Sequence, residues 1–127
     1  TRSGLRLLAT QAPVAADSEA ATRVFEAVGA DPLYRRLCGT QKCFRARLTP
    51  KPWRCGVWSK PPRWPWQDEK QERRFEKWRK QYESFAANWA ACKFLRRIGN
   101  PEVHPEAEIV IKLHDGPARA ESNLRLA

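Results

Sequence analysis

DEKQERRFEKWRKQYESFAANW, residues 68–89, is the stretch from which the fold is read. Asp68 followed by Gln71 resembles a capping box, with Asp in place of the usual Ser or Thr. Phe75, Trp78, Tyr82, Phe85 and Trp89 then recur at spacings of three and four, one aromatic stripe along an amphipathic helix. Glu69 with Arg73 and Glu76 with Lys80 form i,i+4 pairs of the favourable order on the wet side. We expect a long helix over about 68–90, with the stripe as the spine of the domain.

Upstream of this helix, residues 50–67 form a loop rich in Pro and Trp. Pro50, Pro52, Pro61, Pro62 and Pro65 each disfavour helix in the residue before them, so no regular structure is expected there. A loop this long has a use of its own. Before it, Cys43 to Thr49 alternates as a strand does. Phe44, Ala46 and Leu48 face one side, and Arg45 and Arg47 project together from the other, about 6.6 Å apart.

Leu5 to Thr10 reads as a first strand, and Ala12-Pro13 breaks it. Asp17 then caps a helix whose stripe is Ala21, Val24, Phe25 and Val28, ended by Gly29. Asp31-Pro32 opens a shorter helical segment with Leu33, Tyr34 and Leu37 facing inward, stopped by Gly39. Beyond the long helix, Cys92 to Ile98 alternates as a third strand. Pro105 to Asp115 carries helix signals (Pro105, Glu106, Glu108 and the stop Gly116-Pro117) against a β-branched run at Ile109-Val110-Ile111, and is read as helix. The expected fold is α+β: a short sheet with helices packed on one face, forming a single domain over residues 1–127.

The chain has 127 residues, a size that buries one modest core, so a large multidomain enzyme is excluded. No apolar run approaches the roughly 20 residues of a membrane span, and the start shows no secretory pattern. The chain opens on Thr1 and contains no Met, so further residues are expected before it. Cys38, Cys43, Cys55 and Cys92 lack the close pairing of zinc sites and read as reduced, buried thiols of a cytoplasmic protein.

Charge is the most informative feature. Lys and Arg number 24 against 14 Asp and Glu, a net of +10. Between Asp31 and Asp68 there is no acidic residue, yet nine basic ones: Arg35, Arg36, Lys42, Arg45, Arg47, Lys51, Arg54, Lys60 and Arg63. The remainder is nearly balanced, 15 against 14. An uncompensated segment attracts polyanions and releases their counterions on contact. The same segment holds Trp53, Trp58, Trp64 and Trp66, and bases stack on indole rings. Lys42, Arg45, Arg47, Lys51, Arg54 and Arg63 are therefore the expected phosphate contacts, and Trp53, Trp58 and Trp64 the expected base contacts. Rings that fold back onto the core would not serve.

Catalytic signals are few. His114-Asp115 is the one acid–histidine neighbour pair, and its members are the candidates for any chemistry. Adjacency alone does not converge two side chains on one target, and His114 near the end of a helix is accounted for by the helix dipole. No Walker loop, G-x-S-x-G, H-E-x-x-H or D-x-D cluster is present, so neither a cofactor nor a metal is expected.

Phe44-Arg45-Ala46-Arg47-Leu48-Thr49-Pro50-Lys51-Pro52-Trp53-Arg54, with Asp31-Pro32-Leu33-Tyr34 before it, the opening Thr1-Arg2-Ser3-Gly4-Leu5-Arg6 and the late His114-Asp115, resembles a pattern in a group of uncharacterised small bacterial proteins. That likeness covers most of the chain and implies no activity. The opening segment and the apolar run ending at Asp115 are similar to pieces of the archaeo-eukaryotic primase-polymerase core. That likeness implies phosphate-ester chemistry, although the family's acidic metal-binding pair is absent and His114 stands beside Asp115 where the family separates them.

Three functions follow as expectations. The leading one is a small nucleic-acid-binding module, DNA or RNA. The second is an enzyme acting on nucleotides or nucleic acid through His114 and Asp115. The third is an adaptor that docks a protein partner through the Pro/Trp loop, since exposed Trp and Arg also make protein hot spots.

Overall fold

The computed structural model describes every residue from Thr1 to Ala127. Its elements are α1 (Glu19–Ala27), α2 (Pro32–Gln41), a 3₁₀ turn (Pro52–Cys55), α3 (Glu69–Ala86), β1 (Trp89–Ala90), α4 (Pro105–Ala118) and β2 (Arg125–Leu126). The fold class is α+β, and no helix is long and apolar enough to cross a membrane. The chain forms two compact units from interleaved segments. The first holds Thr1–Arg6, Arg47–Arg96 and Leu113–Ala127; the second holds Leu7–Ala46 and Arg97–Lys112.

In the first unit α3 begins where its capping signal stands. The Asp68 carboxylate accepts from the Gln71 N–H at 2.7 Å. The return bond is shifted by one residue: Gln71 Oε1 accepts from the Gln67 N–H at 3.4 Å. At the other end, Arg119, in the left-handed region at φ +54°, turns its guanidinium onto main-chain carbonyls of Ala86, Ala87 and Trp89. The first two are carbonyls that the end of α3 leaves without an internal donor, and the third belongs to β1.

Apart from Phe85, which is exposed, the aromatic stripe is half-buried rather than fully enclosed, and it holds the Pro/Trp loop. Tyr82 donates its hydroxyl to the Pro50 carbonyl at 2.6 Å, and Trp78 donates its indole N–H to the Ser59 carbonyl at 2.8 Å. Within the loop the expected irregular backbone is interrupted by the 3₁₀ turn, which Gly56 closes at φ +91°. A Cβ added there would lie 3.4 Å from the Phe85 ring, so the turn sits directly on α3.

The sheet has two strands. β1 and β2 run parallel, with Trp89 opposite Arg125 and Ala90 opposite Leu126. Around it, Ala91, Cys92, Ala118 and Ala120 form a small buried cluster, and Cys55, Val57 and Ala127 are buried as well. Burial raises the Cys55 and Cys92 thiols above their ordinary pKa; at Cys92 nearby Arg6 works against that rise and Asp115 adds to it.

In the second unit α1 is capped by Ser18, whose hydroxyl accepts from the Ala21 N–H at 3.1 Å. The expected cap, Asp17, is instead paired with Lys42 at 3.4 Å. Of the expected α1 stripe only Ala21 is buried; Val24 and Val28 are exposed. Asp31 and Pro32 open α2 as expected, but the helix runs through Gly39 and closes on Lys42 in the left-handed region. Its buried residue is Cys38, whereas Leu33 and Leu37 are exposed.

None of the three expected strands forms. Residues 5–10 are irregular, with Leu5, Leu7 and Leu8 exposed. Alternation specifies two faces, but a strand also needs a partner for its main-chain groups. At 43–49 a side chain takes that role: the Tyr34 hydroxyl donates to the Arg45 carbonyl and accepts from its N–H. At 92–98 the chain meets a turn, with the N–H of Phe94 on the Ala120 carbonyl, after Ala91 has bonded Ala118. The helix read at 105–115 is present and runs on to Ala118, through Gly116 and Pro117.

Candidate nucleic-acid interface

The first unit carries a cleft of about 210 Å³. Arg6, Arg47, Lys51 and Arg54 line it together with Thr1, Ser3 and Thr49, and no Asp or Glu is among its lining residues. Arg47, Lys51 and Arg54 come from the stretch without acidic residues, held here by the Tyr82 bond to Pro50.

Each cation is positioned differently. Arg54 donates to the Ser3 hydroxyl at 2.9 Å and to the Ala127 main-chain oxygen at 3.1 Å. Lys51 lies over the Trp53 ring, Nζ 5.3 Å from its centroid, within cation–π range. Arg6 donates through Nη1 to the Arg47 carbonyl at 3.1 Å and to His114 Nε2. The Arg47 guanidinium has no protein acceptor within hydrogen-bonding range and is the freest of the four. A guanidinium has five donors, so Arg6 and Arg54 keep some for a ligand.

Behind Arg6 the structure joins two residues that adjacency alone did not bring to one target. His114 Nδ1 and Asp115 Oδ1 are 2.7 Å apart. Arginine can only donate, so in this contact His114 Nε2 is the acceptor, which leaves Nδ1 facing Asp115. The chain Asp115–His114–Arg6 thus orients a cation of the cleft. The helix-dipole account of His114 was incomplete, because the ring is tied on both sides.

The other expected contacts stand elsewhere. Lys42 and Arg45 belong to the second unit and do not line the cleft. Lys42 is paired with Asp17, and the shared Arg45–Arg47 strand face does not exist, because no strand forms there. Arg63 and Trp64 line a separate groove with Lys60, Trp66, Gln71 and Arg74. Trp58 and Trp64 are 79% and 73% exposed, which leaves ring surface open to a ligand; Trp53 is 49% exposed and has Lys51 over its ring. Trp66 folds back instead, its ring centroid 5.0 Å from that of Phe75.

Sequence reasoning missed Arg6, Ser3 and Thr49 in the cleft and Arg74 and Gln71 in the groove. Arg6 had no local signal, since its partner His114 is 108 residues away. Arg74 could have been found: it lies six residues, less than two turns, after the α3 cap, beside the loop that the cap terminates. No group of three or more His, Cys, Asp or Glu side chains converges as metal ligands would. Comparison with known protein families, with characterised proteins and with solved structures finds no significant match.

Proposed function

We propose that the chain is a nucleic-acid-binding module of a reducing, intracellular compartment. Phosphates are held by Arg6, Arg47, Lys51 and Arg54, and bases meet the exposed rings of Trp53, Trp58 and Trp64. The observation that carries this reading is the cleft itself: four cations and three hydroxyl-bearing residues with no Asp or Glu side chain among them. Such a cleft concentrates positive potential and suits an anion with several acceptor oxygens. Arginine adds forked contacts to two phosphate oxygens.

The test is binding of labelled single- and double-stranded DNA and RNA at two salt concentrations. Salt-sensitive binding that weakens in Arg47→Ala supports the reading. Absence of binding at low salt refutes it. Binding that is indifferent to salt, with a protein partner captured through the Pro/Trp loop, would favour the adaptor instead.

A second reading rests on the Asp115–His114–Arg6 chain. A carboxylate-oriented imidazole next to a phosphate-sized cleft is an arrangement found in enzymes acting on phosphate esters. Here Nε2 is occupied by Arg6, so proton transfer at that nitrogen requires Arg6 to move to the ligand. His114→Ala distinguishes the two: turnover that depends on the imidazole is abolished, whereas binding weakens only through a less well oriented Arg6.

A further inference from the structure

Residues 60–67 and the first turns of α3 enclose a groove of about 590 Å³, within the range of small-ligand sites. It combines two chemistries. Lys60, Arg63 and Arg74 supply positive charge with no carboxylate in the lining, and Trp64 and Trp66 supply aromatic surface. Trp66 begins a ladder of rings, with centroids 5.0 Å from Trp66 to Phe75, 6.2 Å to Trp78 and 5.3 Å on to Tyr82. Trp64 is not part of that stack. Its ring meets Trp66 at 85° with centroids 4.9 Å apart, and it remains 73% exposed.

We infer that this groove takes one unpaired base of a single-stranded nucleic acid, stacked on Trp64, with the flanking phosphates on Lys60, Arg63 and Arg74. The inference rests on the nucleic-acid reading above and narrows it to a strand whose bases are free. A duplex presents phosphates outside and keeps its bases stacked, so it would use the cations and leave the indole idle. An acidic peptide would do the same. Only a ligand that alternates anion and flat ring uses both features side by side.

One further feature favours binding. Pro61, Pro62 and Pro65 restrict the backbone around Arg63 and Trp64, so less ordering is required when a ligand arrives.

The test compares a fluorescein-labelled 12-mer of deoxythymidine, an abasic strand of equal length and charge, and a 12-base-pair duplex, all at one ionic strength. Wild type should bind the thymidine strand more tightly than the abasic one. Trp64→Ala should lose about 5- to 150-fold on the thymidine strand while its abasic and duplex affinities stay at wild-type values. Trp64→Phe should restore most of the loss, which a folding defect would not permit. Equal wild-type affinity for the thymidine and abasic strands overturns the inference without any variant. Binding that falls in Arg47→Ala/Lys51→Ala but not in Trp64→Ala removes the groove and leaves the cleft standing. Binding unaffected by either variant, or no binding by wild type, removes both.

Discussion

Replacing Arg47 and Lys51 together by alanine removes two of the four cations that line the cleft, and the effect can be stated in advance. On a single strand each neutralised phosphate contributes a slope of about −0.7 to the dependence of log affinity on log salt. The cleft's four contacts taken alone give about −2.8, so raising salt from about 50 to 200 mM weakens wild-type binding about 50-fold, and contacts in the groove add the same increment to both proteins. Two contacts give about −1.4, and the same change weakens the variant only about 7-fold. Fluorescence anisotropy of a labelled thymidine 12-mer at three salt concentrations measures both slopes.

The variant should remain folded, because the Arg47 side chain has no protein acceptor and the Lys51–Trp53 contact contributes only about 0.5–1 kcal/mol at an exposed site. The control is Arg36→Ala/Arg45→Ala, which removes the same net charge from residues that do not line the cleft. That control should keep the wild-type slope. Equal slopes in the two double variants would refute the reasoning, since net charge and not the cleft would then govern binding.

Other expectations follow from single contacts. Asp68→Ala removes the N-cap of α3 and should cost about 1 kcal/mol, read as a lower Tm by circular dichroism. Arg119→Ala removes the donor to the Ala86 and Ala87 carbonyls at the end of α3 and to that of Trp89 in β1, and should cost about 2–3 kcal/mol; Arg119→Gly should be less damaging by about 1 kcal/mol, because glycine adopts the left-handed backbone freely. Burial raises the Cys92 thiol, so the folded chain holds that proton more tightly than the unfolded one. The associated stability is fully present below the unfolded thiol pKa, about 8.5, and is lost as pH rises through the higher folded value; Tm measured upward from pH 8 should fall more steeply in wild type than in Cys92→Ala. His114→Gln, titrated against the same 12-mer, should weaken binding a few-fold, and an unchanged affinity would show that Arg6 needs no orientation by His114.

How much of this was legible depends on how local each signal is. The start of α3 is written in Asp68 and Gln71, and that of α2 in Asp31 and Pro32, local devices closed by an i,i+3 bond that need no tertiary context. The strands at 5–10, 43–49 and 92–98 were not legible as absent, because alternation says nothing about whether a partner strand exists. At Arg45 the partner is the Tyr34 hydroxyl, a competitor that no strand pattern contains. The cleft was legible in Arg47, Lys51 and Arg54, since removal of acidic neighbours is a property of the linear chain. Arg6 was not, because its place depends on Arg47 and on His114, far away along the sequence.

The aromatic stripe of α3 shows why those cations remain uncompensated in space as well as in sequence. α3 carries four carboxylates, Glu69, Glu72, Glu76 and Glu83, against six basic residues. Glu69 is paired with Arg73 at 3.1 Å, Glu76 with Arg79 at 2.7 Å, and Glu83 approaches Arg79 at 3.9 Å, all along the helix itself. The rings meanwhile point to the loop: Tyr82 fixes Pro50 at the cleft, Trp78 fixes Ser59, and Phe75 backs Trp66 at the groove. One helix therefore holds a basic, tryptophan-bearing segment while three of its four carboxylates are engaged along its own surface. Exposed pairs of this kind contribute little stability, about 0–1 kcal/mol each. Their larger effect is to hold the helix's carboxylates on its own surface. The half-burial of the stripe is then explained by its task, which is to present the loop rather than to fill a core.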